Sequence, residues 1–262
     1  MNKIGLVGNQ IKYSLSPKIH EFFARESKVA IDYQVIDCEA GEFVKAVNDF
    51  FKGSSAVGLN VTIPYKEEAL NIASSTDIQA KECNSCNTLH KIGDSIKAYT
   101  TDGEGFFKSI EEHVDIKEKT ILIVGAGGSA RAVGATLIKR GANIFYTNRN
   151  KDSLERLPNG LKNLDYHSEA IDMLVNCIPP SAANFIQTKI VSKEIVLNTD
   201  PVFVDLSYVN SIAHNQDFAR HFALAIDGVG MLAHQAALSF KIWFGEEVDP
   251  LGAISYIHNE KN

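Results

Sequence analysis

The stretch TILIVGAGGSARAVGATLIKRGANIFYTNRN, residues 120–150, decides the fold class. An apolar strand leads into a glycine-rich turn, and a helical pattern follows with Ala130, Val133 and Leu137 on one face. This is the GxGxxA pattern between a strand and a helix. Its glycines permit a tight turn and close approach of a pyrophosphate, and the helix N-terminus attracts the phosphate charge. The pattern predicts a Rossmann-type unit whose turn binds a dinucleotide through Gly125, Ala126, Gly127, Gly128, Ser129 and Ala130.

The residues after the second strand of this unit indicate which dinucleotide binds. An NAD site usually places Asp or Glu there, about 20 residues beyond the turn, to accept a hydrogen bond from the ribose. Residues 147–151 read TNRNK and contain no carboxylate. The Arg149 guanidinium can pair with a 2′-phosphate through two hydrogen bonds, so the sequence favours NADP. The alternative is that Arg149 is an ordinary solvated surface charge.

Strand-like apolar runs alternate with helical spacing along most of the chain. Before the glycine-rich turn these runs lie at 4–7, 33–36, 57–61 and 96–99. The second series lies at 120–124, 143–147, 173–175 and 202–206. Such βαβ alternation predicts an α/β protein of two domains, in which an N-terminal substrate domain has a mainly parallel sheet and a Rossmann-type domain follows.

The same patterns give the expected domain boundaries. Residues 1–101 form the predicted substrate-binding and catalytic domain, and residues 102–228 form the predicted Rossmann NADP-binding domain. Residues 229–262 are expected to return to the substrate domain as a helical segment. This return rests on the last strong helical pattern, 231–244, which ends at Gly245.

Polar residues gather where a strand of the first domain ends, in the stretch NVTIPYKEE. Asn60 and Thr62 project to the same face because side chains alternate along a strand, and Pro64 is predicted to begin a helix. Lys66 would then lie in the first turn of that helix, where the macrodipole opposes a positive charge. A charge placed at a cost to stability indicates function, although a solvated surface lysine is the alternative.

Other polar residues have both a ligand-binding and a structural interpretation. In the predicted extended segment YSLSP two hydroxyl groups point to one side, but Ser16 can instead cap the next helix, which leaves Ser14 as the better ligand candidate. Asn87 and Asp102 can bind a ligand or form turns and helix caps. Gln235 places an amide on the apolar face of the last helix, where a ligand or the backbone can satisfy it.

Composition argues against several classes of function. The chain has 262 residues and a net charge of −6, which argues against a nucleic-acid-binding surface. Without an apolar run of about 18 residues or a recognisable signal peptide, we expect a cytoplasmic protein with no membrane contact. The cysteines are expected to be reduced thiols. Cys83 and Cys86 form a CxxC pair that lacks the further ligands of a zinc site, so no metal is predicted.

Together, the motifs resemble those of the shikimate dehydrogenase family. The similarity runs over nearly the whole chain, in that family's order, through SLSPKIH, NVTIPYK, CNTL, TDGEG, VGAGGSARA, TNRN, VDLSY and GMLAHQAALSFKIWFG. The resemblance implies reduction of 3-dehydroshikimate to shikimate with NADPH, in the route to chorismate and the aromatic amino acids. The implied partner is a small molecule. The sequence does not give the oligomeric state, for which a homodimer is one option.

The resemblance also assigns residues to roles. Lys66 and Asp102 would be the catalytic pair, and the substrate would be lined by Ser14, Ser16, Asn60, Thr62, Lys66, Asn87, Asp102, Tyr208 and Gln235. The glycine-rich turn would bind the pyrophosphate, and Asn148 and Arg149 would bind the adenosine 2′-phosphate of NADP. The remaining residues assigned to the cofactor are Asn176, Cys177, Gly228 and Met231.

Two alternatives to this function remain. A relative that acts on quinate, or on both substrates, with relaxed use of NAD would share the motifs. Ser14, Ser16 and the setting of Arg149 favour shikimate and NADP. A non-catalytic NADP-binding sensor would share the fold, but the presence of both Lys66 and Asp102 favours an enzyme.

Overall fold

The computed structural model describes residues 1–155, 157–158, 161, 170–179 and 183–259. The chain divides into two compact units. The first unit comprises Met1–Phe106 and Leu232–Asn262, and the second comprises Phe107–Met231. The chain therefore leaves the first unit once and returns to it near the C-terminus.

A mixed sheet forms the centre of the first unit. Its strands are β1 (Asn2–Gly8), β2 (Ile31–Asp37), β3 (Ala56–Val61), β4 (Ser75–Thr76), β5 (Thr88–Ile92) and β6 (Ser95–Tyr99). They lie in the order β2-β1-β3-β5-β6-β4, and three of the neighbouring pairs are parallel. β5 runs antiparallel to both of its neighbours, β3 and β6. Its pairing with β6 is antiparallel because only Gly93 and Asp94 join the two strands, and a loop that short cannot make a crossover.

The helices lie between the strands and after the last of them. In chain order the described helices are α1 (Ser16–Ser27), α2 (Phe43–Phe51), α3 (Glu68–Ile72), α4 (Ile78–Cys83), α5 (Asp102–Ile110), α6 (Gly128–Lys139), α7 (Asp152–Glu155), α8 (Ala183–Val191), α9 (Gln216–Ala219), α10 (Val229–Phe244) and α11 (Pro250–Asn259). Ile19 and Phe23 of α1 are fully buried against Phe240 of α10 and Ala253 of α11. A separate apolar cluster packs α2 against the sheet through Phe43 and its neighbours.

One predicted helix begins later than expected. The prediction that Pro64 begins a helix is wrong, because α3 begins at Glu68 and residues 63–67 form turns. The Lys66 carbonyl accepts a hydrogen bond from the Cys86 amide at 2.8 Å, which fixes this turn to the segment leading into β5. Lys66 thus lies on a turn, two residues before the start of α3.

The second unit contains a fully parallel sheet. Its strands are β7 (Thr120–Val124), β8 (Asn143–Thr147), β9 (Ala170–Asn176), β10 (Val196–Asp205) and β11 (Leu224–Ile226). They lie in the order β11-β10-β9-β7-β8, with every pair parallel. Counted from β7 this is the doubly wound order 2-1-3-4-5, in which ligands bind beyond the carboxyl ends of the strands at the point where the order reverses. In this sheet that point lies between β7 and β9.

The predicted C-terminal helix is present as α10. It ends before Gly245, whose φ of +75° is the left-handed conformation expected of a residue that terminates a helix. Within the described ranges, no helix combines the length and the apolar character needed to span a membrane.

Candidate active site and nucleotide site

Lys66 and Asp102 form an ion pair within the first unit. Lys66 Nζ lies 2.5 Å from Asp102 Oδ2, and the two side chains are only 14% and 4% exposed. Asp102 opens α5, where the positive end of the helix dipole stabilises a carboxylate. A partly buried ammonium held by a carboxylate can donate a proton to an oxygen on which charge develops, and can take it back. The two residues assigned as a catalytic pair therefore lie together.

Asn87 extends this pair into a buried amide network. Its Nδ2 lies 2.9 Å from Asp102 Oδ1, 2.8 Å from Thr101 Oγ1 and 3.0 Å from Gln235 Oε1. Its Oδ1 accepts a hydrogen bond from the Thr101 amide at 2.8 Å. Gln235 in turn donates through Nε2 to the Leu232 carbonyl at 2.8 Å. Gln235 thus has a structural role, because it donates to the backbone of its own helix, and it also contacts the amide of Asn87, a residue assigned to the substrate.

The Asn60 amide, on β3, is held at both ends. Its Nδ2 is directed at the Asn87 carbonyl, Thr88 Oγ1 and Ser239 Oγ, at 3.2, 3.3 and 3.1 Å. Its Oδ1 lies 3.2 Å from His20 Nε2. Because an amide nitrogen can only donate, these acceptors fix which end of the carboxamide faces His20.

His20 is a fully buried side chain of α1. Its ring stacks on Tyr33 with centroids 5.1 Å apart and lies 5.4 Å from the Trp243 ring. Burial lowers the pKa of His20 to about 3, against the opposing effect of its hydrogen bond to Asn60. His20 is therefore neutral near pH 7, and its Nε2 carries the hydrogen that Asn60 Oδ1 accepts.

The two serines of the first motif lie at the start of α1. The predicted extended conformation is wrong, because residues 12–13 form a turn and Leu15 has helical angles of φ −84° and ψ −5°. Ser16 is the first residue of α1 and does not cap it. Instead Ser14 Oγ accepts from the Ser16 amide at 3.2 Å and donates to Ser16 Oγ at 3.1 Å. Ser14 thus has a structural role that the sequence did not indicate. The two hydroxyl groups remain adjacent, and Ser16 lies one helical turn before His20.

Thr62 lies at the carboxyl edge of the first sheet. Its amide donates to the Val7 carbonyl at 3.0 Å, which continues the pairing of β3 with β1 by one residue. A Cβ atom on Gly8 would lie 2.5 Å from Thr62 Cγ2, so the glycine allows the two strand ends to come together. Carboxyl edges of parallel strands are where α/β proteins bind ligands.

The glycine-rich turn occupies the corresponding edge of the second sheet. Gly125 has a φ of +117°, and its amide donates to the Thr147 carbonyl at 2.8 Å. Gly127 precedes α6 in an extended conformation, and an added Cβ would meet no atom within 4 Å. Ala130 is buried. Open space above Gly127, beside the N-terminus of α6, is the geometry that lets a phosphate approach the backbone.

Asn148 and Arg149 directly follow β8, the neighbour of β7. Asn148 Nδ2 donates to the Asn150 carbonyl at 2.9 Å, and the Arg149 side chain is exposed. The exposed guanidinium therefore lies at the same sheet edge as the glycine-rich turn. The nearest following carboxylate, Asp152, is the first residue of α7.

Asn176 and Cys177 lie at the carboxyl end of β9, beside β7, where the strand order reverses. The Cys177 amide donates to the Val124 carbonyl at 2.8 Å, and a Cβ atom on Gly125 would lie 3.3 Å from Cys177 Cβ. The Asn176 side chain is fully buried and donates to Asp205 Oδ1 at 2.8 Å. Asn176 therefore supports the end of the sheet with its side chain, and Cys177 is the residue of the two that lies against the turn.

Gly228, Met231 and Tyr208 follow the last two strands of the second sheet. The Gly228 amide donates to the Ser207 carbonyl at 3.0 Å, and a Cβ atom on Gly228 would lie 2.1 Å from the Leu206 carbonyl oxygen. This close approach requires glycine. Met231 is buried in the first turn of α10. Tyr208 is partly buried in the segment after β10, so it belongs to the second unit, whereas the other residues assigned to the substrate belong to the first.

Three family models match the chain. The shikimate dehydrogenase substrate binding domain matches residues 6–89, shikimate / quinate 5-dehydrogenase matches residues 108–219, and the shikimate 5′-dehydrogenase C-terminal domain matches residues 228–250. A shikimate dehydrogenase (NADP(+)) of Alteromonas mediterranea is 34% identical, over 95% of this chain and 93% of its own length. The chain belongs to the shikimate dehydrogenase family.

Other shikimate dehydrogenases are similar in sequence and structure. The NADP(+) enzyme of Pyrococcus furiosus is 31% identical over 94% of this chain and 91% of its own length. The crystal structure from Aquifex aeolicus is 29% identical with a TM-score of 0.84, covering 98% of this chain and 97% of that chain. A shikimate dehydrogenase in complex with NADP+ is 28% identical with a TM-score of 0.82, covering 99% of this chain and 96% of that chain. These similarities confirm the predicted two-domain α/β fold.

In this shikimate dehydrogenase family member, some residues that hold the proposed site together are not among those predicted from the sequence. They are His20, Thr88, Thr101 and Ser239. One signal was present for Ser239, which lies four residues after Gln235 and therefore on the same face of α10. The two threonines carried no such signal, because β-branched residues are common in and beside strands for packing reasons alone.

The CxxC pair lies in the segment that leads to Asn87. Cys83 and Cys86 are both buried free thiols. Burial raises the pKa of Cys86 to about 12, which opposes formation of a reactive thiolate. Among the described residues, no group of three or more His, Cys, Asp or Glu side chains is arranged to hold a metal ion.

Proposed function

We propose that this chain is an NADP-dependent shikimate dehydrogenase. It catalyses the reversible reduction of 3-dehydroshikimate to shikimate, in the route to chorismate and the aromatic amino acids. The observation that carries the proposal is the buried Lys66–Asp102 ion pair, which is an acid–base group in a family whose curated members are named for this reaction. We assign substrate binding to the first unit and NADP binding to the second.

The residues of the second unit fit NADP. The open space at Gly127 beside the start of α6 suits a pyrophosphate, and the exposed Arg149 after β8 suits a 2′-phosphate. When bound, NADPH supplies the hydride for the ketone carbon. Asn148, Asn176, Cys177, Gly228 and Met231 belong to the same sheet edge, and we assign them to the surroundings of the cofactor.

Lys66 supplies the proton that the ketone oxygen needs. As hydride reaches the carbon, negative charge develops on that oxygen, and a nearby ammonium both stabilises the charge and donates the proton. Asp102 holds the Lys66 ammonium through Oδ2, while Asn87 fixes Oδ1 of the same carboxylate. In the reverse direction the Lys66 amine accepts the proton of the substrate hydroxyl.

The remaining polar side chains of the first unit orient the substrate. A polyol carboxylate needs donors and acceptors on several sides, which hydroxyl and amide groups supply. We assign this role to Ser14, Ser16, Asn60, Thr62, Asn87 and Gln235, together with Tyr208 from the second unit. A cytoplasmic location and the lack of nucleic-acid and membrane partners stay predictions, and a homodimer stays one option for the assembly.

Initial rates with four substrate and cofactor pairs test the proposal. We expect shikimate with NADP to give the highest kcat/KM among shikimate and quinate, each measured with NADP and NAD. Highest activity with quinate and NAD would overturn the assignment in favour of a quinate-using relative. An inactive protein that still binds NADP would favour the sensor.

A further inference from the structure

Ser239 lies at the centre of the hydrogen-bond network of the first unit. It is a fully buried residue of α10. Its Oγ lies 3.0 Å from the Gln235 carbonyl, 3.1 Å from Asn60 Nδ2, 2.8 Å from Thr88 Oγ1 and 3.3 Å from Thr101 Oγ1. One hydroxyl group therefore contacts four polar groups, two of which belong to residues assigned to the substrate site.

The chemistry of these groups fixes where the hydrogens lie. A hydroxyl has one hydrogen and two lone pairs. The Gln235 carbonyl can only accept, so the Ser239 hydroxyl donates its one hydrogen to it. Asn60 Nδ2 can only donate, so one lone pair of Ser239 Oγ accepts from it. The second lone pair accepts from the hydroxyl of Thr88 or Thr101. Ser239 is thus used to its full capacity, and no bond is left for a substrate.

The network continues from Ser239 to the proposed catalytic pair. Thr101 Oγ1 accepts from Asn87 Nδ2 at 2.8 Å, and the same nitrogen donates to Asp102 Oδ1 at 2.9 Å. One side of Ser239 therefore holds Asn60, and the other side leads to the carboxylate that pairs with Lys66.

We propose that Ser239 is a positioning residue for the dehydrogenase reaction. Without touching the substrate, it orients the Asn60 amide and steadies the Thr101–Asn87 connection to Asp102. The inference rests on the proposed function, because orientation of these groups has a kinetic effect only if they bind the substrate and transfer its proton. It is independent of the cofactor residues, which belong to the second unit.

The Ser239→Ala variant tests this role through the two Michaelis constants. A positioning role predicts that KM for shikimate rises and kcat/KM for shikimate falls roughly ten- to a hundredfold, the scale of loss that follows misorientation of a binding group. KM for NADP should stay unchanged. A merely structural role would lower the melting temperature and the active fraction and leave both Michaelis constants unchanged.

The matched control is Ser27→Ala. Ser27 Oγ makes the same kind of bond as Ser239, to the carbonyl four residues earlier on its helix, Phe23, at 2.7 Å. It lies on α1 and has no described bond to the network. This variant should keep the wild-type KM for shikimate. An equal rise of KM in both serine variants would overturn the role of Ser239.

A second variant covers the case in which Ser239→Ala does not fold. Thr88→Val keeps the shape of a fully buried side chain but removes the hydroxyl that bridges Asn60 and Ser239. Thr88→Val should raise KM for shikimate and leave KM for NADP unchanged. Where Ser239→Ala does fold, the effects of the two substitutions in a double variant should be less than additive, because both hydroxyls act through one network. If the Ser239 and Thr88 variants fold and keep the wild-type KM for shikimate, the inference about Ser239 is overturned and the proposed function is not. An inactive wild-type protein would overturn the proposed function and the inference with it.

Discussion

At the scale of single residues, His20 is a titratable side chain that burial keeps neutral. Its pKa is lowered to about 3, from 6.5 for an ordinary histidine. Between these two pH values the unfolded chain binds a proton that the folded chain does not. The free energy of unfolding therefore falls as pH decreases through this window, by about 1.4 kcal/mol per pH unit from this residue.

The His20→Gln variant tests this contribution and keeps a donor for Asn60. Between pH 6 and pH 4.5 the wild-type free energy of unfolding should fall by roughly 2 kcal/mol more than that of the variant. Urea unfolding at the two pH values measures the difference. The lowered pKa of His90 acts in the same direction in both proteins and cancels in the comparison. Equal slopes against pH would show that His20 is not held neutral.

The sequence identifies the polar residues of the proposed site better than it identifies their partners. The stretch NVTIPYK is sufficient to single out Asn60, and the helical pattern at 231–244 is sufficient to single out Gln235. Ser239, however, contacts Asn60 across 179 residues, and Asn87 contacts Gln235 across 148. Such pairs depend on how the C-terminal segment returns to the first unit, which local patterns do not specify.

At the scale of elements, the turn between β7 and α6 uses its glycines for two different purposes. Gly125 adopts a φ of +117°, which side chains rarely tolerate, and it packs against Cys177. Gly127 has an ordinary φ of −73° and open space at the position of a Cβ atom. The first glycine is therefore needed by the turn itself, and the second by the ligand.

Two alanine variants separate these purposes. Gly125→Ala should lower the free energy of unfolding by roughly 1–3 kcal/mol, because the backbone is strained for any residue with a Cβ. Gly127→Ala should change it by less than about 0.5 kcal/mol. Its dissociation constant for NADP should nevertheless rise by more than about tenfold, or 1.4 kcal/mol. Denaturant unfolding and NADP titration of both variants measure these effects, and unchanged NADP binding by Gly127→Ala would contradict the assignment.

Arg149, at the end of β8, should distinguish the two dinucleotides. Arg149→Ala removes a charged donor that only a 2′-phosphate can use, so NADP affinity should fall roughly ten- to a hundredfold and NAD affinity should hardly change. Calorimetric titration with each dinucleotide measures both. Arg220→Ala is the control, since Arg220 is an exposed arginine of the same unit whose described ion pair is with Asp217. Equal losses for NADP and NAD would exclude a 2′-phosphate contact.

Element types follow from the sequence more reliably than element limits. Hydrophobic spacing locates α1, α2 and α10, because burial of one helical face dominates their energetics. Pro64 is a misleading helix signal, since the following turn gives the Lys66 carbonyl to Cys86. The start of α1 also differs from its prediction, because Leu15 already has helical angles, Ser16 is the first helical residue, and the Ser16 amide donates to Ser14 Oγ.

At the scale of the whole molecule, the chemistry is divided between the two units. The first unit holds the Lys66–Asp102 pair and its amide network, and the second holds a fully parallel sheet with the glycine-rich turn at its carboxyl edge. The sequence predicts this division because each unit has its own series of strands and its own motif. The mixed pairing of the first sheet, in which β5 is antiparallel to both β3 and β6, is less evident from the sequence.

The most direct test of Lys66 as the acid–base group is the turnover of Lys66→Ala beside wild type, at saturating shikimate and NADP. We expect kcat to fall by about 10²- to 10⁴-fold, the usual contribution of a positioned acid–base group, while NADP binding and the melting temperature stay close to wild type. The exposed residue Lys81 provides the control, and Lys81→Ala should keep full activity. A Lys66→Ala protein that is folded, binds NADP and retains wild-type kcat would show that Lys66 is not the acid–base group.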